Sequence, residues 1–120
     1  MTSTVPGVAT QTITVTVTTR WSFATHIRPL LASCDGCHSQ LFTYSNLVNA
    51  GATTLGGSCY TGGTPAWNRV VPNNTTASLL YRKLLSSVPC GVRMPQGGPF
   101  WSTTDIDKIA DWINDGAPNN

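Results

Sequence analysis

LASCDGCHSQ, residues 31–40, governs how the rest of the chain is read. It sets Cys34, Cys37 and His38 in the spacing C-x-x-C-H. Thiols at this spacing serve covalent haem attachment, zinc coordination or dithiol redox chemistry. For haem the reason is geometric. Two thiols three positions apart reach the two vinyl groups on one porphyrin edge, and the adjacent histidine turns beneath the ring toward the iron. Zinc would need a second cysteine or histidine pair at short spacing, whereas Cys59 and Cys90 stand 31 positions apart without a companion. A thioredoxin-like pair would follow a strand and open a helix. Here the motif follows a helical pattern and precedes a polar loop, so the haem reading is preferred.

Working outward, SFATHIRPLLA, residues 22–32, places Phe23, Ile27, Leu30 and Leu31 on one helical face, with Ser22 as N-cap. Pro29 within it predicts a kink or a late start. TYSNLVNA, residues 43–50, predicts a short helix ended by Gly51. Residues 51–68 are Gly-rich, lack periodicity and read as a loop. TASLLYRKLLSS, residues 76–87, carries Leu79, Leu80, Lys83, Leu84 and Leu85 at helical spacing. The NNTT run before it, Asn73–Thr76, holds two N-glycosylation sequons but reads as a turn and helix cap. The last helix is the clearest. Ser102 or Thr103 caps it, Asp105 and Asp107 lie near its positive end, and Ile106, Ile109, Ala110 and Ile113 form its apolar face. Gly116 and Pro118 stop it.

Upstream the pattern differs. Residues 1–11 are small and polar, and TITVTVT, residues 12–18, alternates Thr with Ile13, Val15 and Val17 as a strand does. No later segment alternates comparably. A lone strand is unstable by itself, so this one is either an arm that pairs with the domain or a neighbouring chain, or the end of a preceding domain. The chain therefore divides into a linker or extended arm, residues 1–20, and one all-α domain, residues 21–118.

Composition bounds the partners. With 120 residues there is material for one modest core. Only 10% of the residues are charged, every acid is an aspartate, and the net charge is +2 with no basic run, which argues against nucleic acid. No apolar run approaches the ~20 residues that cross a bilayer, and the first eleven residues lack the pattern of a signal peptide. Four cysteines at these spacings suit an oxidising compartment, where Cys59 and Cys90 could pair as a disulfide.

A haem iron held by His38 has a second axial position, for which Met94 and His26 compete. Met94 stands in CGVRMPQGG, a polar, Pro- and Gly-rich segment where a core-filling methionine is out of place. His26 lies eight residues before Cys34 inside the first helix, and would have to reach around the ring edge. Met94 is the preferred ligand, and His26 reads as a surface or helix-packing histidine.

The succession of a helix, C-x-x-C-H, a short Tyr-containing helix, SLLYRKLL, RMP-x-GG and DIDKIADWINDGA resembles the small bacterial class I c-type cytochromes. It looks closest to the planctomycete-type cytochrome c domains of secreted multidomain proteins, over roughly residues 21–118. The resemblance implies helices around one covalently bound haem c. It makes Cys34 and Cys37 the thioether positions, His38 the proximal ligand and Met94 the distal one. Covalent haem attachment takes place outside the bacterial cytoplasm, so a periplasmic or extracellular location is implied as well. Two features depart from the plainest members: the additional pair Cys59 and Cys90, and the Thr-rich strand, which has a weak likeness to the closing strand of an Ig-like module. A Cys59–Cys90 bridge would tie the Gly-rich loop to the segment carrying Met94.

With both axial ligands engaged, such a centre moves one electron and performs no bond chemistry. The expected function is electron transfer rather than enzymatic turnover, as a free carrier or as the relay domain of a larger exported protein. The expected partner is a redox protein or a fused catalytic domain. The alternative is a haem peroxidase or gas sensor whose distal ligand is labile. Paired carboxylates, a Ser–His–Asp arrangement and a phosphate loop are all missing from the sequence. Trp67, Trp101, Trp112, Tyr60 and Tyr81 are candidates for the haem shell, with ordinary core packing the simpler account of each. Arg69 and Arg93 are candidates for neutralising haem propionates.

Overall fold

The computed structural model describes residues 20–38, 42–52, 59–61, 64–65 and 67–120. The Thr-rich strand expected at residues 12–18, with any chain pairing through it, lies outside them. Regular structure among the described residues is nearly all helical, in keeping with the all-α expectation. The exception is a two-residue antiparallel ladder, Tyr60–Thr61 (β1) against Thr64–Pro65 (β2), inside the segment expected to be a loop. No described helix is long and apolar enough to cross a membrane.

The first helical run changes pitch twice. Ser22 caps it, its Oγ accepting from the Thr25 N–H. A π-helical turn over Phe23–Ile27 leads into α1, Arg28–Leu31, and a 3-10 turn over Ala32–Cys34. Pro29 explains the first change. It falls in the opening turn of α1, where its missing N–H leaves no bond unmade. The wide turn before it re-phases the chain so that Phe23, Ile27 and Leu31 all face the core.

The helix α2 is shorter than its pattern, spanning Tyr44–Leu47. Thr43 caps it, but Val48 is already extended and Asn49 takes a left-handed φ of 58°, so the chain turns before Gly51. The freed backbone joins residues 67–70. Asn49 N–H donates to Val70 C=O at 2.8 Å and Ala52 N–H to Trp67 C=O at 2.8 Å. On the other side, Leu80 N–H donates to Arg69 C=O at 2.9 Å. Residues 67–70 thus lie between α2 and α3, Leu79–Leu84.

Helix α3 also starts late. Asn74 does form the expected turn, accepting from the Ala77 N–H, but it caps no helix. Ser78, fully buried, spends its hydroxyl on the Val71 and Asn74 carbonyls and the Val71 N–H, leaving α3 without a side-chain cap. Helix α4, Thr103–Asn114, follows its pattern closely. Ser102 accepts from the Asp105 N–H, and Gly116, at φ 99°, turns the chain out.

The main core gathers Phe23, Ile27 and Leu31 from the first run, Leu47, Val70 and Leu84, and Ile106, Ile109, Trp112 and Ile113 from α4. Trp112 is completely buried, and its indole N–H donates to Pro118 C=O at 3.0 Å. Tyr44 reaches Ala117 C=O with its hydroxyl at 2.6 Å, tying α2 to the segment after α4. A second cluster holds Ala52, Cys59, Leu79 and Cys90, with Trp67 against it. Cys59 and Cys90 are joined there as a disulfide.

Candidate functional site

The main core is incomplete on one side, where a cavity of about 510 Å³ opens between the C-x-x-C-H turn, α3 and residues 91–101. Its walls include Cys34, Cys37 and His38 on one side, and Met94, Pro95 and Trp101 from the chain between α3 and α4. Leu31, Phe42, Leu47, Leu80 and Leu84 make the interior largely apolar. The volume falls within the roughly 300–1,000 Å³ usual for ligand and cofactor pockets.

The motif is placed by local backbone bonding. Cys34 C=O accepts from Cys37 N–H at 3.2 Å and from His38 N–H at 2.9 Å, curling the segment through one turn at the end of the first helical run. Arg28 and Asp35 brace that turn through an ion pair of 2.7 Å. The partner atoms Arg28 Nη1 and Asp35 Oδ1 are buried without a hydrogen bond. Cys34 and Cys37 are both free thiols. Cys34 is half-buried, and burial pushes its thiol pKa up. Cys37 is exposed. The His38 ring meets Phe42 edge to face at 6.1 Å between centroids.

The opposite wall is irregular. Its main chain is pinned where Met94 N–H donates to Lys83 C=O at 2.8 Å. Cys90 anchors its start through the disulfide to Cys59, which also lines the cavity. Gly98 N–H closes a turn onto Pro95 C=O at 3.0 Å.

The expected residues separate clearly in space. Cys34, Cys37, His38 and Met94 share the cavity, and Cys59 and Cys90 form the expected bridge. His26 does not line the cavity. It is exposed, its Nδ1 accepts from the Ser22 N–H at 3.0 Å, and its ring packs edge-on to Trp21. Among the aromatic candidates Trp101 lines the cavity, whereas Trp112 and Tyr81 belong to the main core and Trp67 sits by the second cluster. The side chain of Tyr60 lies outside the described residues. Arg69 lines the cavity, with Nη1 donating to Asn46 C=O at 2.6 Å and its pKa lowered by burial. Arg93 is turned away, its guanidinium 3.9 Å from the Phe100 ring centroid. Lys83 was not anticipated as a lining residue. The signal was a lysine at a position of α3 otherwise reserved for leucines.

Among the described residues no group of three His, Cys, Asp or Glu side chains is arranged to hold a metal ion. The donor set that does converge is an imidazole and a thioether, with two free thiols beside the imidazole, around an apolar interior. This set fits a haem held by two thioether bonds, and the cationic Arg69 on the lining suits its carboxylates. No family model, curated protein or solved structure matches the chain.

Proposed function

We propose that this chain is a mono-haem c-type cytochrome, similar to the small class I bacterial cytochromes, that carries single electrons. The observation supporting this most directly is the convergence of Cys34, Cys37, His38 and Met94 on one apolar cavity. Cys34 and Cys37 would hold haem c through thioethers, and His38 and Met94 would supply ligands to its iron. When bound, the haem supplies a one-electron couple.

The chain's own groups define what that couple can do. His38 offers an imidazole lone pair from a turn fixed by Cys34 C=O. Met94 offers a soft thioether, which favours the reduced iron and raises the potential relative to a second histidine. With both engaged, the group would supply electron transfer and no site for substrate. Leu31, Leu47, Leu80 and Leu84 give the cavity an apolar lining, which would lower the reorganisation that accompanies a change of charge. The proposed location is periplasmic or extracellular. The proposed partner is a redox protein or a catalytic domain of the same polypeptide.

The test is an optical spectrum of the protein produced with a bacterial haem-attachment system, oxidised and reduced. A weak far-red band of methionine–iron ligation should be present, absent in Met94→Ala and unchanged in His26→Ala. If the wild-type protein lacks the band and binds carbon monoxide or turns over peroxide, the alternative of a peroxidase or gas sensor replaces the carrier.

A further inference from the structure

We infer that Lys83 is a positioning residue, whose ammonium group fixes the loop that presents Met94 to the cavity. The inference rests on the reading of Met94 as an iron ligand. Lys83 grips residues 90–94 at both ends. Its C=O accepts from Met94 N–H at 2.8 Å, and its Nζ donates to Cys90 C=O at 2.8 Å. The loop is therefore bonded to one residue of α3 just where it leaves the disulfide and again at the methionine itself.

The notch for the ammonium is built by Gly91. A Cβ there would stand 2.7 Å from Nζ, well inside contact distance, and the glycine's φ of 65° is one that residues with side chains rarely adopt. Placing a cation here carries a desolvation cost. Burial lowers the Lys83 pKa, and among the described residues no carboxylate lies within ion-pair distance of it. The sequence has no acid between Asp35 and Asp105 to provide one. Leucine at this position would satisfy the apolar pattern of α3 without that cost. What a lysine adds is a hydrogen bond from a charged donor to the loop, of the stronger kind.

The experiment compares Lys83→Leu and Gly91→Ala with the wild-type holoprotein. Gly91→Ala retains the positive charge but removes the room for it. In both variants the methionine–iron band should weaken while the covalent haem is retained. Hydrogen exchange at the Met94 amide should quicken roughly tenfold or more, the scale of losing a charged hydrogen bond. Should Lys83→Leu fail to fold, Lys83→Met, which keeps the length of the side chain without its ammonium, is read in its place, and Gly91→Ala only supports it because φ 65° strains any side chain there. An unchanged band with unchanged Met94 exchange overturns the inference. A lowered potential in Lys83→Leu alone, with band and exchange intact, also overturns it, because the lysine would then act only through its charge. A wild-type protein without the band removes the ligand reading on which the inference rests, and is told apart from the other outcomes before any variant is made.

Discussion

The two walls of the cavity are held in opposite ways. The wall with Cys34, Cys37 and His38 is the frayed end of a helical run, fixed by hydrogen bonds within four residues and an ion pair between Arg28 and Asp35. The wall with Met94 has no helix between Leu84 and Thr103, and depends on links that are distant in sequence. Cys90 bridges 31 positions back to Cys59, and Lys83 and Leu84 of α3 take hydrogen bonds from Met94 and Arg93. The first wall is therefore expected to form wherever the first helical run forms. The second is expected to hold its shape only after α3 and the disulfide are in place. If the chain is the proposed carrier, this division would have a use, since attachment would be permanent whereas Met94 would set the potential and could be tuned.

The comparison breaks most visibly if attachment does not belong to the first wall. Cys34→Ser with Cys37→Ser should abolish covalent haem, read by mass spectrometry of the denatured protein. Met94→Ala should keep the haem and lose only the far-red band. Covalent haem surviving in the double serine variant would sink the proposed function. Next in size is the support shared by both walls. Trp112 of α4 is fully buried and packs against Phe23 of the first helical run, so Trp112→Ala should cost about 3–5 kcal/mol in denaturant unfolding.

Legibility in the sequence follows the same division. Helix α4 could be read from its cap at Ser102 to its stop at Gly116 because capping and amphipathic spacing are local rules. The C-x-x-C-H turn was equally local. Where elements came out shorter, a competing bond was responsible. Ser78 bonds to Val71 and Asn74 instead of capping α3, and Asn49 turns the chain two residues before Gly51. Neither can be seen without knowing which strand of backbone lies alongside. Trp112 and Trp101 look alike in sequence, yet one is sealed in the core by Pro118 C=O and the other lines the cavity. Arg93 and Arg69 differ in the same manner, one stacked on Phe100 and one on the lining.

A smaller expected effect sharpens the account of the second wall. Replacing Cys59 and Cys90 by serine releases a loop of 31 positions, which on loop-closure entropy costs about 3–4 kcal/mol. The loss should appear in urea unfolding. If the Met94 wall depends on the bridge, the far-red band should weaken in the same variant while covalent haem is unaffected. The whole expected drop of about 3–4 kcal/mol with an unaltered band would mean that α3 alone is enough to place Met94.

The smallest expected effect lies on the helical side, where Arg20 joins the start of the first run to α4. Its Nη2 meets Asp115 Oδ1 at 2.9 Å and its Nη1 meets Asp111 at 3.0 Å. The hydrogen bonds from Arg20 hold the Asp115 carboxyl below the usual carboxylate range. A carboxyl whose folded pKa is depressed stabilises the fold above its unfolded value, about 3.9, and loses that contribution as pH falls through the lower folded value. Asp115→Asn should therefore lower stability slightly at pH 7 and leave it unchanged well below about pH 4, so that the fall on acidification is flatter; the loss is small because the arginine is half exposed and solvent screens the pair. Added salt should shrink the difference further. Thermal midpoints at pH 3 and pH 7, with and without salt, would check this. An effect at pH 7 rivalling the loss of the disulfide would mean that the helical side, too, depends on links distant in sequence, and the contrast between the two walls would have to be redrawn.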